Sequence, residues 1–251
     1  MRKKEVEIGG LAVRYYEDGD GPPLLLLHGA GGTARLWHRQ AGPLSKSYRV
    51  VAPDLPGFGG TAAFPWIKSI RDYAGFIAKF MDALGIRRAS VAGSSLGGWA
   101  ACWFAVDYPG MLDRLVLISP AGLYFEEAPP MPLPLLIKEV ERYYASADTG
   151  SDAGLRPSAD MERGLATIRT LESEGAFKPD LSGVLSEIKV KTLIIWGAED
   201  KVIPASYADK FRRLIPGSEV RLVEGAGHMP FIERHEVVNE LISSFLASPG
   251  A

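Results

Sequence analysis

The sequence predicts an α/β fold: a mostly parallel eight-stranded sheet with helices on both faces and a small helical cap inserted after strand six. Three observations predict it. Short β-type runs alternate with longer helical patterns along the chain. Most of those runs are continuously apolar, as strands buried on both faces require. The rhythm breaks once, between Ile118 and Thr192, where about seventy residues pass without a convincing parallel strand.

Val6–Ile8 and Leu11–Tyr16 read as an opening antiparallel pair turning at Gly9-Gly10. Six further strands follow at Leu24–Leu27, Tyr48–Ala52, Ala89–Ala92, Leu115–Ile118, Thr192–Trp196 and Glu219–Val223. Between them, Ile70, Tyr73, Ala74, Ile77, Phe80, Met81 and Leu84 recur at helical spacing, and so do Val237, Val238, Leu241, Ile242, Phe245 and Leu246. Each of these helices has one apolar face to bury. The break after Ile118 opens with Pro129-Pro130-Met131-Pro132-Leu133-Pro134 and carries helical patterns around 135–144 and 158–171. The expected division is a core of residues 1–123 and 188–251 with a cap of residues 124–187. Within the cap, Ala147–Pro157 reads as a polar linker.

At 251 residues and 47% hydrophobic composition, the chain supports one sizeable core with a small inserted layer. A net charge of −2, with Lys and Arg scattered, argues against nucleic acid or an anionic membrane surface as partner. No apolar run suits a signal peptide or a membrane span, so the expectation is a cytoplasmic protein acting on a small molecule. Cys102, the single cysteine, sits in an apolar helical run and reads as a core residue.

The chemistry is concentrated at Gly93-Ser94-Ser95-Leu96-Gly97. An apolar strand precedes it and a helix-compatible run, Trp99–Ala105, follows, so the chain turns sharply at Ser95. A serine in such a turn has its hydroxyl pushed outward, and the residues two before and two after must be glycine-sized. Ser94 fails that test, because its equivalent neighbours are Ala92 and Leu96.

A serine hydroxyl needs a base. Of His28, His38, His228 and His235, the one suited to the task is His228, in the flexible run Glu224–Phe231 between the last strand and the last helix. His38 and His235 fall on polar helix faces, and His28, at a strand end, reads as a brace for the loop beside it. The imidazole needs an acceptor in turn. Asp200, carried off the Leu193–Trp196 strand, fits, although taken alone it serves equally as a cap for the following helix, and Glu199 is its neighbour. The chain order Ser, Asp, His beyond successive strand ends favours the catalytic role. Oxyanion donors, typically worth about 3 kcal/mol each, are expected from the backbone N–H groups of Leu96 and of Ala30 in His28-Gly29-Ala30-Gly31-Gly32.

Five motifs together resemble the α/β-hydrolase family: His28–Gly32, Asp54-Leu55-Pro56-Gly57-Phe58-Gly59, Gly93–Gly98, Trp196–Asp200 and Gly225-Ala226-Gly227-His228. They stand in the family's order over nearly the whole chain. The resemblance implies Ser95 as nucleophile, His228 as base, Asp200 as acid, Ala30 and Leu96 as oxyanion donors, and no cofactor. A serine where related dehalogenases and epoxide hydrolases carry aspartate implies acyl transfer to water. Small carboxylesterases are similar, and so are carbon–carbon bond hydrolases of aromatic ring-fission products. The latter commonly have Asn before the nucleophile, where this chain has Ser94, and a cap arginine, for which Arg142, Arg156, Arg163 and Arg169 are candidates.

Residues available to line a pocket between strand ends and cap are Trp66, Tyr124, Phe125, Leu136 and Phe231, with Trp99, Leu123, Met131, Leu133 and Leu135 beside them. Their apolarity suggests an ester with an apolar acyl or aryl group. A non-catalytic small-molecule receptor of the same fold is the reading from another class.

Overall fold

A computed structural model describes residues 1–124, 132, 135, 138, 159–173, 175 and 180–248. Among them eight strands form one sheet in the order β1-β2-β4-β3-β5-β6-β7-β8. The strands are β1 (Arg2–Ile8), β2 (Leu11–Asp18), β3 (Pro23–Leu27), β4 (Arg49–Pro53), β5 (Ala89–Ser94), β6 (Leu112–Ile118), β7 (Thr192–Gly197) and β8 (Glu219–Val223). The β1–β2 hairpin pairs antiparallel, with Val6 opposite Val13, and β2 runs antiparallel to β4. Every pairing from β4 to β8 is parallel. The carboxyl ends of β3 to β8 therefore share one edge, and the loops leaving them meet there.

Helices cover both faces. Those with described bounds are α1 (His38–Leu44), α2 (Asp72–Ala83), α3 (Leu96–Asp107), α4 (Ala159–Ser173), α5 (Ser206–Leu214), α6 (Pro230–Glu233) and α7 (His235–Ala247). α3 is buried from Leu96 to Ala105, as expected for a helix apolar all round. It lies on β3, β5 and β6 and is covered by α2, while α1 packs with α6 and α7. Cys102 is fully buried in α3, and burial pushes its thiol pKa up. No described helix is long and apolar enough to cross a membrane.

Helix α4 falls in the long interval between β6 and β7. It packs on the loop after β4: Thr167 Oγ1 donates to the Gly57 carbonyl at 2.7 Å and Arg163 Nη1 to the Gly59 carbonyl at 2.8 Å. Most of the other predicted helix, 135–144, and the 147–157 linker lie outside the described residues.

Asp54, fully buried just beyond β4, ties three parts of the chain together. Its Oδ2 accepts from Arg14 Nε of β2 at 2.5 Å and from Gly60 N–H at 2.9 Å, and its Oδ1 accepts from Ala34 N–H at 2.8 Å. A buried carboxylate is tolerated only when its lone pairs are used in this way. Asp54→Ala is expected to cost about 3 to 5 kcal/mol of unfolding free energy, read from the urea midpoint at unchanged m-value. A loss below about 1 kcal/mol would show the hub to be dispensable.

Candidate active site

Ser95 stands at the junction of β5 and α3 with φ 51° and ψ −115°, a left-handed conformation costly for a residue with a Cβ. Its backbone is held from three sides: its N–H donates to Ile118 at 3.0 Å, and its carbonyl accepts from Trp99 at 3.0 Å and from Ala121 at 3.1 Å. The flanking glycines have the reason that the sequence suggested. A Cβ on Gly93 would overlap the Gly97 carbonyl, and one on Gly97 would overlap the carbonyls of Leu27 and His28. Ser94 stays within β5 and is buried.

The loop after β3 lies directly against this turn. A Cβ on Gly29 would stand 3.2 Å from Ser95 Cβ and 3.8 Å from its Oγ, so Ala30 follows a residue in contact with the serine. Among the described residues no loop or cap hydrogen bond uses the N–H of Ala30 or of Leu96. Leu96 opens α3, where N–H groups lack intrahelical partners and the helix dipole favours negative charge.

Across the carboxyl edge, the loops after β7 and β8 are joined by backbone bonds from Ala198 to Val223 at 3.0 Å and from Glu199 to Ala226 at 2.9 Å. Gly197 makes this possible, since a Cβ there would overlap the Gly227 carbonyl. The result is His228 Nδ1 at 2.9 Å from Asp200 Oδ2, with both residues buried. Asp200 Oδ1 accepts from the N–H groups of Val202 and Ile203 at 2.8 and 3.0 Å. The capping role and the imidazole contact thus coexist, one oxygen each, while Glu199 is exposed. His228 Nε2 is buried and has no hydrogen-bond partner among the described residues.

His28 contrasts with it. Leu55 N–H donates to its Nε2 at 3.0 Å, so the ring proton sits on Nδ1, which donates to the Gly29 carbonyl at 2.8 Å. Both nitrogens are occupied, and burial lowers its pKa from the ordinary 6.5. This ring braces the Gly29 carbonyl against the loop after β4. The residue before Leu55 is the Asp54 hub, whose signal in the sequence is a carboxylate directly after an apolar strand.

Of the proposed pocket residues, Trp66, Tyr124 and Phe231 are described. Phe231 is fully buried and stacks on Trp37 with centroids 4.3 Å apart, so it belongs to the core and not to an open pocket wall. Trp66 packs on Phe64 and is 41% exposed, and Tyr124 is 62% exposed. Phe125 and Leu136 lie outside the described residues, as do Arg142 and Arg156. Arg163 and Arg169 are exposed on α4. A cavity of about 320 Å³ opens between α4 and the 56–73 segment, lined by Pro56, Phe64, Ile67, Tyr73, Thr167 and Leu171 among others; Ser95, Asp200 and His228 are not in its wall.

Two measurements check this geometry. Gly197→Ala should separate the β7 and β8 loops, lowering stability by a few kcal/mol, about 2 to 4 on the scale of a forced core overlap; calorimetry showing an unchanged melting temperature would refute the close approach. His28 is held neutral, so the unfolded chain takes up a proton first and stability falls as pH drops below 6.5. That slope, at most about 1.4 kcal/mol per pH unit, should be shallower in His28→Asn when unfolding is measured between pH 7 and pH 5, and equal slopes would contradict it.

The sequence pattern of the alpha/beta hydrolase family matches residues 24–241. A Cupriavidus necator protein named dihydrolipoyllysine-residue acetyltransferase component of acetoin cleaving system is 32% identical, over 96% of this chain and 68% of its own. A 2-hydroxy-6-oxo-6-phenylhexa-2,4-dienoate hydrolase from Burkholderia cepacia is 28% identical, over 97% of this chain and 94% of its own. The crystal structure of a serine hydrolase involved in carbazole degradation superposes with a TM-score of 0.82 at 28% identity, covering 98% of both chains. The matched stretch runs from β3 into α7 and takes in every strand-end loop described above, and on that ground the chain belongs to the α/β-hydrolase family.

Proposed function

We propose that the chain is a serine hydrolase that cleaves carboxylic esters with apolar acyl or aryl groups through an acyl-enzyme. The observation that carries this reading is an imidazole with one nitrogen committed to Asp200 and the other buried and uncommitted, in a protein whose Ser95 is held in a strained strand-to-helix turn. In the proposed cycle Ser95 Oγ bonds to the ester carbonyl carbon as His228 Nε2 takes its proton. The developing oxyanion accepts from the N–H groups of Ala30 and Leu96. The C–O bond to the leaving alcohol breaks, and the alcohol departs with the proton from His228. Water then attacks the acyl-enzyme with the same base, releasing the acid and restoring Ser95. Residues 124–187 would form a cap over this site, with α4 as its described part.

A second reading is favoured by the dienoate hydrolases among the relatives: carbon–carbon bond hydrolysis of a ring-fission dienone. Ser94 in place of the usual Asn, and the exposure of Arg163 and Arg169, set it second to ester cleavage.

A p-nitrophenyl phosphonate should label the wild type once, as read by intact mass, and should leave Ser95→Ala unlabelled. No labelling of the wild type would leave a non-catalytic receptor as the better account. Asp200→Asn keeps the oxygen that Val202 and Ile203 use but supplies the wrong partner for the imidazole, so kcat on a p-nitrophenyl ester should fall about 10⁴-fold with little change in melting temperature. A substrate panel setting ester chain lengths beside a meta-cleavage dienone decides between the two readings. Turnover of the dienone alone would overturn ester cleavage.

A further inference from the structure

We propose that Glu233 is a positioning residue for His228, holding the backbone on both sides of the base; this rests on the reading of His228 given above. Glu233 ends α6, and its carboxylate accepts two backbone hydrogen bonds: Oε2 from Gly227 N–H at 2.7 Å and Oε1 from Met229 N–H at 3.1 Å. Bonds to a charged acceptor are the stronger kind.

The arrangement closes a small ring around the base. Gly227 N–H belongs to the peptide unit 226–227 and Met229 N–H to the unit 228–229. Only φ and ψ of Gly227 and His228 separate those two units. With both pinned to one carboxylate, those dihedrals, and with them the direction of the His228 Cα–Cβ bond, lose their freedom. Gly227 makes such a restraint necessary, because glycine resists fixing more than any other residue. Among the described residues no loop or cap hydrogen bond uses the N–H or C=O of His228 itself. Among the described residues its side chain is tied only to Asp200, around which the ring could still swing.

The carboxylate has a firm point of attachment. The N–H groups of Ile232 and Glu233 return to the Met229 carbonyl, which makes α6 a closed turn. Phe231 within it is stacked on Trp37, and its carbonyl accepts from buried Gln40 at 2.5 Å. Upstream, Ala226 and Gly227 are held against the β7 loop by the Glu199 bond and the close approach at Gly197. Glu233 thus links a fixed turn on one side to a fixed loop on the other, and His228 lies between them.

A displacement of about 1 Å in a reacting group can cost about 100-fold in rate. Glu233→Ala is therefore expected to lower kcat for p-nitrophenyl butyrate about 10- to 100-fold with KM within twofold, rates being normalised to active-site-titrated enzyme. The phosphonate labelling rate of Ser95 should fall in parallel. Glu233→Gln keeps one acceptor oxygen and should recover part of both rates, which separates positioning from fold stability and gives a readable variant if the alanine one folds poorly. Wild-type kcat per titrated site in both variants would overturn the proposal. Failure of the underlying reading looks different: the wild type would resist labelling, or His228→Ala would label as fast as the wild type.

Discussion

The site depends on backbone approaching backbone more closely than any side chain allows. At the end of β5 the chain reverses so tightly that Gly97 touches the carbonyls of Leu27 and His28, and Gly93 touches that of Gly97. This brings the loop after β3 against Ser95, the residue that leads directly into α3. A second approach of the same kind, Gly197 on the Gly227 carbonyl, draws the β7 and β8 loops into register and sets Asp200 against His228. Parallel strands alone would leave these loops splayed at one edge of the sheet; the two glycine contacts turn the edge into a site.

Two histidines end up with different chemistry because their nitrogens are spent differently. His28 donates to Gly29 and accepts from Leu55, so protonation would break a hydrogen bond and put a charge in a dry environment. It acts as a rigid bracket beside the Asp54 hub. His228 spends one nitrogen on a carboxylate that can stabilise an imidazolium, and its other nitrogen has no partner among the described residues. An unpaired polar atom at a buried position is costly, and the proposed proton-accepting role would account for its retention.

The sheet was legible in the sequence because its central strands are apolar on both faces. β3 to β7 were located to within three residues, and β8 was found with its bounds intact. At the charged edge the signal is shorter than the strand: β1 reads from Val6 but begins at Arg2, its first residues being charged and exposed. α1 is short, contains Pro43 and is secured by packing on α6 and α7, so no periodicity announces it. α5 buries only Tyr207, Ala208 and Phe211 amid charged neighbours. The nucleophile, base and acid candidates stood out because rare residue types sit at strand ends. Glu233 did not, since it lies on a short helix and bonds the backbone amides of Gly227 and Met229, which carry no identity in a sequence.

Strain at the site is shared between neighbouring strand ends. Among the described residues Ser95 and Ser119 are the non-glycine ones with positive φ, at 51° and 42°, following β5 and β6. They are tied in series: Ser95 donates to Ile118, Ser119 donates to Ile195, and Ala121 returns to the Ser95 carbonyl. Each left-handed residue costs about 1 to 3 kcal/mol, and relaxing either would break a cross-strand bond that the other turn uses. The elbow is therefore held by the strand beside it as much as by its own glycines. That coupling explains how a small sheet edge keeps a serine in a conformation that an isolated turn would abandon.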